Sequence, residues 1–357
     1  MWAMVRKELR EVQRDRRTMA MMILMPIVLL LVFGYAANFS VEEIRLTPVG
    51  EQVATAVQDL PAPFVVQAES TDDPTDILRR GEADVAVAID DGTPTASIDG
   101  SNIFTAQASL QAFSQMAASG AAPEIQTDVL FNPDLSTSAV LVPGLGGLIL
   151  LFIGALVTSL GVVRERQSGT LEQLAVMPLR ASDVFIGKVA PYFIVAAVDL
   201  VIALAIGVFV FDVPFNGNPA WLALGSVLFL FVTLGIGVLI STVSQNQGQA
   251  IQLALMTVMP QVLLSGLIFP LSSMGAAVRW IGYLLPLTWF NIIARDVMLK
   301  DAPLETLAFP LTVLAVMSIV VSGLAIWRFT HVLSPARRSH RSSTPTSDSG
   351  APAGASA

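Results

Sequence analysis

Side chains able to do chemistry are few in this sequence and unevenly placed. There is no cysteine, and both histidines, His331 and His340, lie near the C-terminal end. Disulfides, thiolate metal sites and Ser-His-Asp catalysis are thereby excluded from most of the chain. No H-E-x-x-H or G-x-S-x-G occurs. The nearest approach to a phosphate-cradling G-x-x-x-x-G-K-[ST] loop ends in Gly187-Lys188 and fails twice. Ser182 stands at its first glycine position, and Val189 where a hydroxyl must meet magnesium. The sequence therefore points to no ATPase, no other enzyme, no metal and no cofactor.

Two places do carry a signal. The first is RERQSGTLEQL, Arg164 to Leu174. Thr170 and Gln173 have the spacing of a capping box, which predicts a short helix starting at Leu171 and stopped by Pro178. Such a helix offers Leu171, Leu174 and Ala175 on one side, with charge from Glu165, Arg166 and Glu172. Gly169 precedes the cap. A short, capped helix suits the transmission of force from a partner, and it equally suits an ordinary loop between two membrane spans. The second is Asp199, in the middle of an apolar stretch. A carboxylate at that depth costs about 2.5–3.5 kcal/mol on insertion scales, so it should face the protein interior. There it either lines a substrate path or hydrogen-bonds a neighbouring helix, and Gln252 and Gln261 are candidate partners.

The elements that must position these residues are membrane helices. The chain is 54% hydrophobic and 13% charged, against about 25% charged residues in a soluble domain. Six stretches reach the roughly 20 apolar residues a span needs: 19–37, 139–163, 189–211, 220–243, 250–271 and 306–327. Except for Asp199 they contain no acidic or basic residue. A seventh, 276–294, is interrupted by Arg279 and Pro286 and reads as re-entrant or interfacial within the segment 272–305. The first stretch is longer than a signal-peptide core and reads as a retained span.

With the N-terminus in the cytoplasm, the inside segments 1–18, 164–188 and 328–357 hold 14 Lys and Arg, and the outside segments 38–138 and 272–305 hold 6. The positive-inside rule favours this topology, with both termini cytoplasmic. Residues 38–138 then form an outside domain with 16 acidic and 3 basic residues. Its pattern reads as α/β: a strand at Phe64 to Val66, a helix begun by Asp73-Pro74 and closed by Gly81, an alternating strand at Asp84 to Ile89, a turn at Asp91-Gly92, a returning strand at Thr95 to Ile98 and a helix over 102–119. Trp2, Val5, Leu9 and Val12 align on one face of a basic amphipathic helix over 1–18, suited to the headgroup layer. Gly144, Gly146 and Gly147 permit close helix packing. The Ser-, Pro- and Gly-rich tail reads as disordered.

Several motifs, in fixed order, resemble those of the ABC-2 family of exporter permeases. Arg164 to Leu174 continues into GKVAPY, Gly187 to Tyr192, as the family's signature does. RKELREVQRDRRT at Arg6 to Thr18, DGSN at Asp99 to Asn102, FDVPFNG at Phe211 to Gly217, SGLIFPLSSM at Ser265 to Met274 and LLPLTWFNIIARDVMLKD at Leu284 to Asp301 are similar too. The resemblance implies an α-helical polytopic permease of type V ABC exporter-like fold, with six transmembrane helices and a domain between the first two, in a bacterial inner membrane. It implies a separate ABC ATP-binding subunit docked on residues 164–177 and a second permease copy or paralogue. Membrane lipid is a further expected partner; nucleic acid is not. An amphipathic drug or lipid-like substrate is expected from the apolar spans. Two other readings stay open: a membrane-anchored receptor or scaffold with a ligand-binding ectodomain, and an ion-coupled secondary transporter using Asp199.

Because the chain lacks cysteine, the topology has a clean test. Single cysteines replacing Ser97 and Ser168 should react with an impermeant maleimide from opposite sides of the membrane. Labelling of both from outside would overturn the six-span arrangement.

Overall fold

The computed structural model describes residues 43–58, 60–90, 92–119, 125–168 and 181–333. The N-terminal helix, the first expected span, the capped helix after Thr170 and the tail lie outside them.

The described chain begins with a five-stranded sheet. Strand β1 (Ile44–Pro48) is followed by α1 (Glu51–Val57), β2 (Phe64–Val66), α2 (Pro74–Arg79), β3 (Val85–Asp90), β4 (Thr93–Asp99), α3 (Ile103–Ser119) and β5 (Gln126–Leu130). The sheet order is β2-β1-β3-β4-β5. β1 runs parallel to β2 and β3, β3 and β4 form an antiparallel hairpin, and β5 joins β4 in parallel. Alternation sends successive side chains to opposite faces. Ile44, Leu46, Val85 and Val87 meet Val53 of α1 and Phe113 of α3 on one face. Ala86 meets Ile77 and Leu78 of α2 on the other. The Asp73 carboxylate caps α2 by accepting from Thr75 N–H at 2.8 Å. Gly81 ends it at φ +70°, where a side chain would be strained.

A long helical run follows: α4 (Thr137–Leu151), a π turn (Phe152–Val157) and α5 (Thr158–Gln167). Then come α6 (Ala181–Val210), α7 (Pro219–Val243), α8 (Gln247–Leu264), a 3₁₀ turn (Leu271–Ser273), α9 (Ala276–Tyr283), α10 (Pro286–Arg295), a second π turn (Asp296–Lys300) and α11 (Leu304–Leu333). Among the described residues four helices are long and apolar enough to cross a membrane: Thr137–Glu165, Ala190–Val210, Pro219–Val243 and Leu304–Arg328. The stretch expected as a span at 250–271 is helical only to Leu264, because Gly266 at φ +79° turns the chain. The interrupted stretch 276–294 is two short helices. Pro286 opens the second of them at its first turn, where its missing N–H has no bond to lose.

α7 is the centre of the helical body. It packs on α11, on the first π turn, on α5 and on α10. Glycines set the closest approach: a Cβ on Gly237 would collide with the carbonyl of Gly154, and one on Gly154 with Thr233. In lipid no water can rescue a bare polar group, and the α7 hydroxyls turn back on their own helix. Ser226 Oγ donates to Leu222 C=O at 2.6 Å and Ser241 Oγ to Val238 C=O at 2.6 Å. Phe229 stacks on Phe290 of α10, with ring centroids 4.9 Å apart.

Candidate functional site

Three regions hold the polar groups that matter. At the end of α5, Glu165 is half-buried and Arg164 exposed. The helix end is braced on α8: Gln247 Nε2 donates to Gln167 Oε1 at 3.0 Å. Of the residues expected to meet a partner here, Glu165 and Arg166 fall in α5. Gly169, Thr170, Leu171, Glu172 and Leu174 lie outside the described residues. Further along the signature, Tyr192 of α6 presses its hydroxyl against the space that a side chain on Gly161 would fill.

In the helical body, Asp199 is half-buried on α6 beside Leu200, which is buried, and Val198, which is exposed. Gln261 is buried in α8, and its Nε2 donates to Thr257 C=O at 3.3 Å. Gln252 sits half-buried on the same helix. Among the described residues, no hydrogen bond joins Asp199 to either glutamine. The Oε1 atoms of both glutamines are buried without a partner.

The third region was not singled out by spacing. It forms where the sheet domain meets the second π turn. Lys300 Nζ is buried and donates to Asp99 Oδ2 at 2.5 Å and to Leu78 C=O at 3.3 Å. Its ammonium lies 5.7 Å from the centre of the Phe131 ring. Arg79 Nε returns a bond to Lys300 C=O at 3.0 Å. Asp99 Oδ1 accepts from Ser101 N–H at 2.9 Å. On the other side of the turn, Asn216 Nδ2 donates to Leu299 C=O at 2.9 Å, and Gly217 N–H to Val297 C=O at 3.0 Å. A Cβ on Gly217 would strike that carbonyl, so the close approach needs glycine. Asn132 closes the joint by accepting from Ser136 N–H at 2.9 Å and donating to Gly100 C=O at 3.3 Å, which ties the DGSN loop to the start of α4.

Three motifs far apart in sequence thus converge: DGSN, FDVPFNG and the final LKD. Burial disfavours the Lys300 ammonium, but Asp99 and Asp296 outweigh it and its pKa shifts up. Burial pushes the Asp296 carboxyl up to about 6, eased by Lys300. Burial also lowers the Arg295 guanidinium, with only partial compensation from Asp296 and Asp99. The charged residues Arg295, Asp296 and Lys300, which follow directly on the apolar stretch 276–294, are the available sequence signal for this cluster. Among the described residues, no group of His, Cys, Asp or Glu is arranged to hold a metal ion.

Comparison with known proteins decides the family. Residues 16–327 match the ABC-2 family transporter proteins. The chain belongs to this family. Relatives of the ABC-2 permease include the probable multidrug ABC transporter permease YbhS of Escherichia coli, 30% identical over 327 residues covering 81% of this chain and 86% of that protein. The probable multidrug ABC transporter permease YbhR of the same organism is 29% identical, covering 85% and 91%. The inner membrane transport permease YhhJ is 28% identical over about half of each chain. No solved structure matches. Family and helices together make this a multi-pass membrane permease.

The buried pair in this permease has a specific energetic signature. Lys300→Met leaves Asp99 buried without its cation and should destabilise by about 3–5 kcal/mol. The double variant Lys300→Met/Asp99→Asn should regain much of that loss, because no charge is left stranded. Thermal unfolding of the detergent-solubilised chain measures both; a double variant no more stable than the single would contradict the pairing.

Proposed function

We propose that this chain is the membrane subunit of an ATP-driven exporter, moving an amphipathic substrate from the cytoplasm or inner leaflet outward across a bacterial inner membrane. A separate ATP-binding subunit supplies the energy, and the permease works as a dimer with a second copy or a paralogue. The sheet domain lies outside, between a first span within 19–37 and the span begun by α4. The segment 247–271 completes six spans.

The observation that carries this reading is the continuous run from Thr137 to Gln167. One helix leaves the sheet domain at the Asn132–Ser136 joint and delivers the chain to the RERQSGTLEQL loop. At 1.5 Å per residue it reaches roughly 45 Å, enough to cross a bilayer. A push on the loop by nucleotide-driven closure of a partner therefore travels along one covalent rod to the outside domain. The π turn in its middle, packed on Thr233 and Gly237 of α7, is the place for the rod to pivot against the helical body. π turns of this kind recur at functional positions in helices. The absence of a phosphate-binding loop in the sequence and the likeness to the probable multidrug permeases YbhS and YbhR support the same assignment.

In this scheme Glu165, Arg166, Gly169, Thr170, Leu171, Glu172 and Leu174 form the contact with the ATP-binding subunit. Asp199, Gln252 and Gln261 supply polar points along the substrate path.

Glu172 is the best single probe. Neutralising an exposed ion pair costs only about 0–1 kcal/mol, whereas a like-charge contact at an interface costs several. Glu172→Arg should therefore insert normally, fail to co-purify with the ATP-binding subunit or to stimulate it, and stop transport. Full assembly and transport by this variant, and by charge reversals at Glu165 and Arg166, would remove the loop from the coupling role.

A further inference from the structure

Beside the Lys300 cluster, the sheet domain and the bend after α8 enclose two adjoining cavities of different character. The first, of about 470 Å³, is lined by polar groups including Glu43, Arg45, Asp84, Arg279, Asn291 and Arg295. The second, of about 360 Å³, is lined largely by apolar side chains such as Phe104, Val140, Leu141, Leu267 and Ile268. Asn102, Gly266, Pro270 and Arg295 border both. Each falls in the range of about 300–1,000 Å³ typical of ligand sites.

The charges in the polar cavity are not balanced alike. Arg45 is spent on Asp84, with Nη2 to Oδ1 at 2.9 Å and Nε to Oδ2 at 3.1 Å. Arg279 and Arg295 have no carboxylate within ion-pair distance among the described residues. Arg279 reaches carbonyls, donating from Nη2 to Ser272 at 2.9 Å and from Nε to Met274 at 3.2 Å. Arg295 Nη2 donates to Gly266 C=O at 3.3 Å, while its Nε is buried without a partner. Asn291 gives its Nδ2 to Ser265 and leaves Oδ1 buried and unpaired. Both guanidinium groups line the cavity wall with only backbone carbonyls as partners, which leaves their charge unmatched by a carboxylate there. Next to it, Phe104 and Ile268 remain 37% and 42% exposed, an apolar surface with nothing described upon it.

We propose that the two cavities form one binding site for an anionic amphiphile, its phosphate or carboxylate head held by Arg279 and Arg295 and its alkyl part laid along Phe104, Leu267 and Ile268. The proposal deepens the exporter reading by naming the substrate class, and it rests on that reading only for the direction in which the amphiphile moves. Arg45 is already paired with Asp84, and Glu43 also lines this cavity, so the head sits toward Arg279 and Arg295 rather than Arg45. The bend at Gly266 separates head from tail, because its carbonyl holds Arg295 at the partition.

The test uses the full chain in nanodiscs of zwitterionic lipid, without any ATP-binding subunit. The probe is a dodecyl phosphate with a diazirine at the chain end, and cross-linked peptides are mapped by mass spectrometry. The expected result is labelling centred on Phe104 and Ile268, displaced by unlabelled dodecyl phosphate but not by equal concentrations of inorganic phosphate or dodecyl maltoside. Arg279→Gln and Arg295→Gln should each reduce it about tenfold, the loss expected for a charged hydrogen bond. Should Arg295→Gln fail to fold, Arg279→Gln and Ile268→Asp carry the same prediction. Labelling spread evenly over lipid-facing helices, displacement by dodecyl maltoside, displacement by inorganic phosphate as strong as by dodecyl phosphate, or indifference to these substitutions would overturn the proposal. None of these outcomes bears on coupling to ATP, so the exporter reading is judged separately.

Discussion

Lys300 brings a positive charge into the packed seam between a sheet and a set of helices, and Asp99 makes that burial tolerable. Two charges taken out of water lose hydration worth several kcal/mol each, which good geometry and further hydrogen bonds must offset. The structure provides both: a 2.5 Å contact, a carbonyl of α2 for Lys300 and the Ser101 amide for Asp99. The five-residue π turn that ends in Lys300 also offers its carbonyls to Arg79, Asn216 and Gly217. The sheet domain, the connection into α7, and α10 are thereby fixed to one short segment, whose carbonyls and terminal ammonium are bonded from both the sheet domain and the connection. The position of the sheet over the helices, and the shape of the cavities beside the seam, depend on this contact.

Much of the sheet could be read from the sequence, because its signals are local. Asp73-Pro74, Gly81 and the alternation after Asp84 act within a few residues, and the strand at Phe64 to Val66 lies where the pattern placed it. β5 escaped because Gln126 to Asp128 are exposed on an edge strand and show no buried alternation. α1 escaped because seven residues carry too little periodicity to stand out. In the helical body, hydropathy identified long apolar runs but not where α8 stops, since the positive φ of Gly266 is a conformational choice that an apolar run does not advertise. Pro286 interrupts an apolar stretch on paper and begins a helix in space.

The Lys300–Asp99 contact joins residues 201 apart, and no local rule links them. Its trace in the sequence is the run of charges Arg295, Asp296, Lys300 and Asp301 directly after the apolar stretch 276–294, together with a DGSN loop whose role spacing does not reveal. Asp199 is a lone charge in an apolar run, and among the described residues it has no hydrogen bond to Gln252 or Gln261. Isolated charge in an apolar run marks a place that needs explaining; the partner is supplied by the fold. The family assignment rests on similarity over nearly the whole chain.

Coupling of the loop after α5 to the seam between the sheet domain and the helices is open to direct measurement. Cysteine-free background makes spin labelling direct: one label replaces Gln107 on α3, which lines the apolar cavity, and another the exposed Trp280 on α9, the helix that carries Arg279. Their separation is measured by double electron–electron resonance in the complex with the ATP-binding subunit, first without nucleotide and then with ATP trapped. Coupling through the loop predicts a shifted distance distribution on trapping, abolished when Glu172→Arg breaks the contact. An identical distribution in both nucleotide states, in a complex that transports, would contradict it.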